Sequence, residues 1–150
     1  VEDEELVVAF LDMVENHKMV VENSGLLTVA ALKHLNVKNK KVVSILSGGN
    51  MDVITMSSVV QQGLVLRDRI FSVSVLLPDK PGELSRVADV IAKQNGNVIK
   101  LEHNQFVSIN RNAAVELRIT MEAYGTEHKN QIISALQQNG YQPKLIRASI

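Results

Sequence analysis

The run Val42-Val43-Ser44-Ile45-Leu46 ends in Ser47-Gly48-Gly49-Asn50, and a helical pattern follows at once. A strand that stops at a serine and two glycines ahead of a helix offers free backbone N–H groups and open space, an arrangement that often holds a phosphate. It is no Walker loop, because the lysine of GK[ST] is missing, and GxGxxG does not fit. Taken alone it reads as well as an ordinary helix-entry turn. A second candidate is Leu77-Pro78-Asp79-Lys80-Pro81-Gly82-Glu83-Leu84. There Pro81 and Gly82 turn the chain sharply, Gly82 removes a side chain where a ligand could approach, and the next helix start can receive a carboxylate. On composition alone, a plain strand-to-helix turn is the stronger reading of that loop. The four histidines, His17, His34, His103 and His128, are scattered over separate elements with no i,i+4 pair and no HExxH. Three are expected at the surface or at caps, whereas His103 could line a ligand cleft.

The elements that must position these residues fall into two rhythms. In the first half Leu6, Phe10, Met13 and Val14 recur at helical spacing behind the acidic turn of Glu4 and Glu5. Met19-Val20-Val21 reads as a short strand, and a second helix follows Asn23-Ser24-Gly25, with Leu27, Ala31, Leu32 and Leu35 sharing a face. Residues 42–46 read as a parallel strand covered on both faces. Asn50 and Asp52 can cap a third helix carrying Val53, Met56, Val59 and Val60, with Gly63 at its end. Helix, strand, helix, strand, helix is a piece of an α/β sheet with too few strands to stand alone. Together with a start at Val1 inside a helical pattern, this suggests a cut from something longer, whose exposed apolar faces would favour self-association.

The second half is cleaner. Phe71, Val73, Val75 and Leu77 alternate with Ser72 and Ser74, as in a strand with one wet face. Leu84, Val87, Ala88 and Ile91 form a helical stripe that stops at Asn95-Gly96-Asn97, with Gly96 available for a left-handed cap. Val98 to His103 alternates again, Ile99 and Leu101 on one side, Lys100 and Glu102 on the other. After a polar loop from Asn104 to Asn112, Val115, Leu117, Ile119 and Met121 face one way and Glu116, Arg118 and Thr120 the other. A helix over residues 126–139, with Ile132, Ile133 and Leu136 inward, precedes a last short strand in which Pro143 belongs at a sheet edge. The sum is β-α-β-β-α-β, with two helices on one face of an antiparallel sheet.

Composition narrows the function. Sixteen basic and sixteen acidic residues cancel and form no long single-sign block, which argues against nucleic acid or an anionic membrane as the main partner. No apolar run approaches the roughly 20 residues that span a bilayer. The absence of cysteine excludes disulfides, thiolate-bound metal and a thiol nucleophile. The acidic N-terminus does not read as a signal peptide, so a cytoplasmic location is expected.

The loop DKPGEL between strand and helix, with NGNVIKLEH about a dozen residues later, resembles the ACT domain, a βαββαβ module that binds amino acids and regulates metabolic enzymes. The likeness covers about residues 69–147. It implies an effector held at a dimer interface by Asp79, Pro81, Gly82, Glu83 and Leu84 of the loop and by Asn97 and Val98 at the second strand's start. Val20-Val21-Glu22-Asn23-Ser24-Gly25, then SILSGGN, then this module, resembles the C-terminal part of the threonine ammonia-lyases (threonine dehydratases), with Asn23 where the family more often has Pro or Ala.

That resemblance implies an α/β fragment, the end of a fold type II pyridoxal-phosphate-dependent catalytic domain, over residues 1–63. A connector would span 64–69 and an α+β, ferredoxin-like ACT domain 70–150. It implies that Ser47 meets the cofactor's pyridine nitrogen, with Gly48 and Gly49 keeping the loop thin. A serine there is a neutral partner, so the ring nitrogen stays largely unprotonated and β-elimination is favoured. The Schiff-base lysine motif and the glycine-rich phosphate cradle are not in this sequence. The full-length parent is therefore expected to use pyridoxal phosphate, while this piece has no catalytic residues, binds no cofactor by itself and is inactive. Its expected partners are an amino-acid effector (isoleucine, valine or serine), the N-terminal catalytic portion and a second copy through the ACT domains. Two other readings stand beside this one, a stand-alone amino-acid-binding regulator with no enzyme and a small nucleotide- or phosphate-binding α/β protein.

Overall fold

The computed structural model describes residues 1–104 and 114–148, so the polar loop expected from Asn104 to Asn112 lies, beyond Asn104, outside the described residues. The chain divides into two compact units, Val1–Leu66 and Arg67–Ile150.

The first unit is built on three helices, α1 (Asp3–Asp12), α2 (Asn23–Ala31) and α3 (Val53–Leu66). A π-helical turn, Met13–His17, extends α1. Leu6, Ala9, Phe10, Met13, Leu26, Ala30 and Val59 make its core, each large apolar side chain contributing about 1.5–3 kcal/mol over its exposed state. Asp52 caps α3, its carboxylate accepting from the N–H groups of Ile54 (3.0 Å) and Thr55 (2.9 Å).

Four expectations for this unit change. Residues 19–21 and 42–46 form no strand. They carry no regular secondary structure and no ladder among the described residues, and Val43 and Ile45 are 89% and 76% exposed rather than covered. A parallel strand takes both its hydrogen bonds and its cover from neighbours, and this unit supplies neither. The second helix begins at Asn23, so its buried face is Gly25, Leu26 and Ala30, while Leu27 and Leu35 are exposed. Gly63 does not end α3. The helix continues to Leu66, and a Cβ at Gly63 would lie 3.2 Å from two carbons of Leu11, so this glycine lets two helices approach. His34 lies at the surface, as expected, but in hydrogen-bond contact with Glu5 (2.8 Å).

The second unit contains β1 (Ile70–Pro78), α4 (Glu83–Lys93), β2 (Asn97–Asn104), β3 (Ala114–Glu122), α5 (Thr126–Gln138) and β4 (Lys144–Ile146). The strands form one sheet in the order β2-β3-β1-β4, with each neighbouring pair antiparallel. Phe71, Val73, Val75, Leu77, Leu117, Ile119 and Met121 on one face pack with Val87 and Ile91 of α4 and Ile132 and Leu136 of α5. This is the βαββαβ ferredoxin-like arrangement, and the short β4 after Pro143 is indeed an edge.

Local detail departs from the sequence pattern at four points. Ser72 is 2% exposed rather than wet, because β1 is a central strand and Ser72 pairs with Thr120 on β3 at 2.7 Å between hydroxyls. On α4 the buried stripe is Val87 and Ile91, with Leu84 and Ala88 on the exposed side. The left-handed residue after α4 is Asn95 (φ 58°), not Gly96. Gly96 donates to Ile91 O and lets the chain pass Ile91 and Ile132 side chains that a Cβ would meet at 2.8 and 3.0 Å. A bulge between Val98 and Lys100 shifts the parity of β2, so that Val98 and Leu101 lie opposite the core residues Met121 and Ile119 and Ile99 sits at the irregularity.

Candidate functional sites

Residues 47–49 are fixed from one side by α2 and the segment before it. The Glu22 N–H donates to Gly48 O (3.1 Å), and Thr28 Oγ1 donates to Ile45 O (3.3 Å). A Cβ on Gly25 would stand 1.8 Å from Ser47 O, so that position excludes any side chain. Gly48 adopts φ +80°, and a Cβ there would overlap the Glu22 carboxyl at 2.4 Å. Its bareness serves Glu22, whose Oε1 also accepts from Ser24 Oγ (2.6 Å). Gly49 is different, having only Val20 O at 3.5 Å from a built Cβ, so a side chain there would meet no close neighbour. The two short motifs, Glu22 to Gly25 and Ser47 to Gly49, thus meet in space, with Ser47 itself exposed.

The residues expected to hold an effector divide into two groups. Asp79, Pro81 and Gly82 are exposed in the turn after Pro78, with Glu83 and Leu84 opening α4. Gly82 has φ +91° and nothing within 4 Å of a built Cβ, so its neighbourhood is open. Glu83 takes Arg86 Nη1 at 3.0 Å. Asn97 and Val98 begin β2. In register Asn97 lies opposite Glu122, which lies opposite Ile70, whereas Pro78 lies opposite Ala114. The loop and Asn97 therefore occupy opposite ends of the sheet, about 27 Å apart at ~3.3–3.4 Å per strand residue. One copy of the chain does not bring the two groups together. Val98 points its side chain to the core, so of this residue only the backbone remains available outside it. His103 lies exposed near the far end of β2, opposite Leu117.

The face of the sheet away from the helices is polar and ordered. Glu116 accepts from Ser74 Oγ (2.6 Å), Arg118 Nε (3.1 Å) and Asn104 Nδ2 (3.5 Å). The Ser74 hydrogen bond first, then those from Arg118 and Asn104, hold its carboxyl below the usual range against the opposing effect of burial. Asn97 Nδ2 donates to Glu122 Oε2 at 2.7 Å. At the same end, Asp68 accepts from Lys129 Nζ (2.6 Å) and Thr126 Oγ1 (2.7 Å). Burial raises its pKa, but these bonds and the lysine charge prevail and leave it lowered. His128, expected as a surface or cap residue, is instead buried. Its Nδ1 accepts from the Tyr124 N–H (3.0 Å), so Nε2 carries the proton and donates to Gln94 O (2.5 Å). Its ring stacks on Tyr124 at 4.7 Å.

Nothing in the sequence around Glu122, Asp68 or His128 marks them for these contacts. Their partners are 25, 61 and 34 positions away in the chain, and only strand register and helix packing bring them together. Alternation did place Glu116 on the polar face.

Among the described residues no three acidic or histidine side chains gather as a metal site, and no helix is long and apolar enough to cross a membrane. No protein-family profile matches the chain. It is 38% identical to an L-threonine ammonia-lyase of Geobacter sulfurreducens over 94% of its length, and 31% identical to one of Thermotoga maritima over 97%. A biosynthetic L-threonine dehydratase of Pasteurella multocida is 30% identical over 94% of the chain. The chain spans 36, 37 and 27% of these relatives, about a third of their length. Among solved structures, the ACT domain of a prephenate dehydrogenase from Bacillus anthracis superposes with a TM-score of 0.38 at 22% identity, covering 49% of this chain and 99% of that domain.

Proposed function

The chain belongs to the L-threonine ammonia-lyase family, whose C-terminal region it matches with an ACT domain as its second unit, and we propose that it is the regulatory end of such an enzyme. The observation that carries this reading is the similarity to two L-threonine ammonia-lyases along nearly the whole chain. In it, the second unit binds an amino-acid effector, isoleucine before valine or serine, isoleucine being the end product downstream of 2-oxobutanoate. The separation of the 79–84 loop from Asn97 supports a site shared by two copies, the loop from one and Asn97 from its partner.

The first unit fits one end of pyridoxal phosphate. Ser47 offers a neutral, exposed hydroxyl, and the neighbouring Gly49 keeps the loop thin. When bound, the cofactor supplies the electron sink for β-elimination of threonine to 2-oxobutanoate and ammonia. Ser47 would donate its hydroxyl proton to the ring nitrogen without adding charge, and Gly25 and Glu22 would keep the loop that carries it in place. The lysine that anchors the cofactor and the cradle for its phosphate belong, in this reading, to the N-terminal catalytic portion. The exposed Val43, Ile45, Val53 and Ile54 support a docking face for that portion.

Calorimetry of the chain with isoleucine, valine, serine and ATP tests the regulatory role. Amino-acid binding that Gly82→Asp abolishes is the expected result. Tight ATP binding lost in Gly48→Ala, with no response to amino acids, would overturn it in favour of a phosphate-binding protein. In the full-length enzyme Ser47→Ala is expected to shift the cofactor's absorbance and lower kcat, and unchanged kinetics would remove Ser47 from its role.

A further inference from the structure

We propose that Glu122 is a specificity-determining residue of the effector site, holding the Asn97 side chain in place and supplying the negative charge that selects a ligand bearing an ammonium group. The inference rests on the reading above that Asn97 meets an amino acid. Asn97 and Glu122 are directly opposite each other at the ends of β2 and β3, and both are exposed on the polar face. The Asn97 amide has two N–H donors and one carbonyl acceptor. One donor is committed to Glu122 Oε2 at 2.7 Å, which fixes the plane of the amide. Its carbonyl and its second N–H are then presented as a set, and that carbonyl can accept from an ammonium.

A lone asparagine would distinguish poorly between an amino acid and the matching hydroxy acid, since its amide can pair with either an ammonium or a hydroxyl. A carboxylate beside it changes this, because a hydrogen bond between an ammonium and a carboxylate is about twice as strong as a neutral one. Glu122 brings that charge to the site through the same contact that orients Asn97. The opposite end of the sheet is complementary. There the exposed Lys80 and the first N–H groups of α4 suit a carboxylate. A zwitterion lying between two copies would place its ammonium at Asn97 and Glu122 of one and its carboxylate at the 79–84 loop of the other. A hydroxy acid satisfies the second half and, through its hydroxyl, the Asn97 amide, but gains nothing from the Glu122 charge.

Two variants separate charge from orientation. Glu122→Gln keeps an acceptor for the Asn97 N–H and removes the charge, while Glu122→Ala removes both. The experiment is calorimetry of the full chain with L-valine, L-isoleucine and 2-hydroxy-3-methylbutanoate, the hydroxy acid matching valine. The unmodified chain is expected to prefer valine to the hydroxy acid by about tenfold or more, the worth of one charge-assisted bond. In Glu122→Gln that preference should collapse toward unity through weaker valine binding, with the hydroxy acid unaffected. In Glu122→Ala both ligands should weaken. Thermal unfolding of each variant checks that the sheet is intact. A Glu122→Gln chain that keeps the full preference overturns the role of Glu122 while leaving the effector site standing. An unmodified chain that binds neither valine nor isoleucine overturns the effector reading and this inference with it.

Discussion

A side chain at Gly25 and the backbone of Ser47 cannot share the space they would need, since a Cβ on Gly25 would lie 1.8 Å from the Ser47 carbonyl oxygen. The helix start and the serine loop are therefore held as one piece by the absence of a single methyl group. Gly25→Ala should cost about 1–3 kcal/mol, the usual penalty for overfilling a packed site. Gly49→Ala, with only Val20 O at 3.5 Å, should be close to neutral and serves as the control. The first unit has no tyrosine or tryptophan, so the measurement is urea denaturation followed by the helical circular dichroism signal. Equal midpoints for the two variants would contradict the contact.

Gly96 should be similarly intolerant, for a different reason. Its neighbours are Ile91 and Ile132, where α4 and α5 close on the sheet. Gly96→Ala should lower stability by about 1–3 kcal/mol. Asn95→Gly, at the residue that actually carries the positive φ, should change it by less than about 1 kcal/mol. Thermal unfolding followed by tyrosine fluorescence reports on the unit directly, because both tyrosines, Tyr124 and Tyr141, lie within it.

His128, in the first turn of α5, joins that helix to the end of α4 through its bond to Gln94 O, and holds Tyr124 just ahead of α5 through a second hydrogen bond and a ring contact. His128→Phe keeps a ring to stack on Tyr124 and leaves the Tyr124 N–H and the Gln94 carbonyl without partners. The expected loss is about 1–3 kcal/mol, read from the same fluorescence transition. A variant as stable as the parent would show that water replaces both bonds at no cost.

Acid should weaken the second unit through Asp68 and Glu116, whose pKa values both lie below the ordinary 3.8 and 4.5. A depressed folded pKa stabilises the fold above the unfolded value, and that stability is lost as the pH falls through the folded value. The melting temperature should therefore fall with decreasing pH from about 4.5 downward. Asp68→Asn and Glu116→Gln should each flatten that slope while leaving the region near pH 7 without a pH dependence of their making. A slope that survives both substitutions would assign it to other carboxylates.

The second unit was far more legible in the sequence than the first. Period-two alternation over residues 71–77 and 115–121 reports burial on one face of a sheet whose strands are all present, so pattern and packing agree. In the first unit, Val42, Val43 and Ile45 have a strand's composition but no strand beside them, and composition cannot tell whether a neighbour exists. The bulge in β2 was invisible for a related reason, since one extra residue changes which side chains share a face without changing their types. For the candidate sites, the motifs singled out Ser47, Gly82 and Asn97 as expectations. The register that sets Asn97 beside Glu122, and far from Gly82, depends on pairing across dozens of residues.

The end-to-end distance between the 79–84 loop and Asn97 has a consequence for how any ligand touching both would behave. Such a molecule would act as a tether between two copies, and its binding and their association would be a single equilibrium with shared free energy. Its apparent affinity would fall as the protein is diluted, and a saturating amount would raise the sedimenting mass. What the chain senses would then be a product of two concentrations, the ligand's and its own.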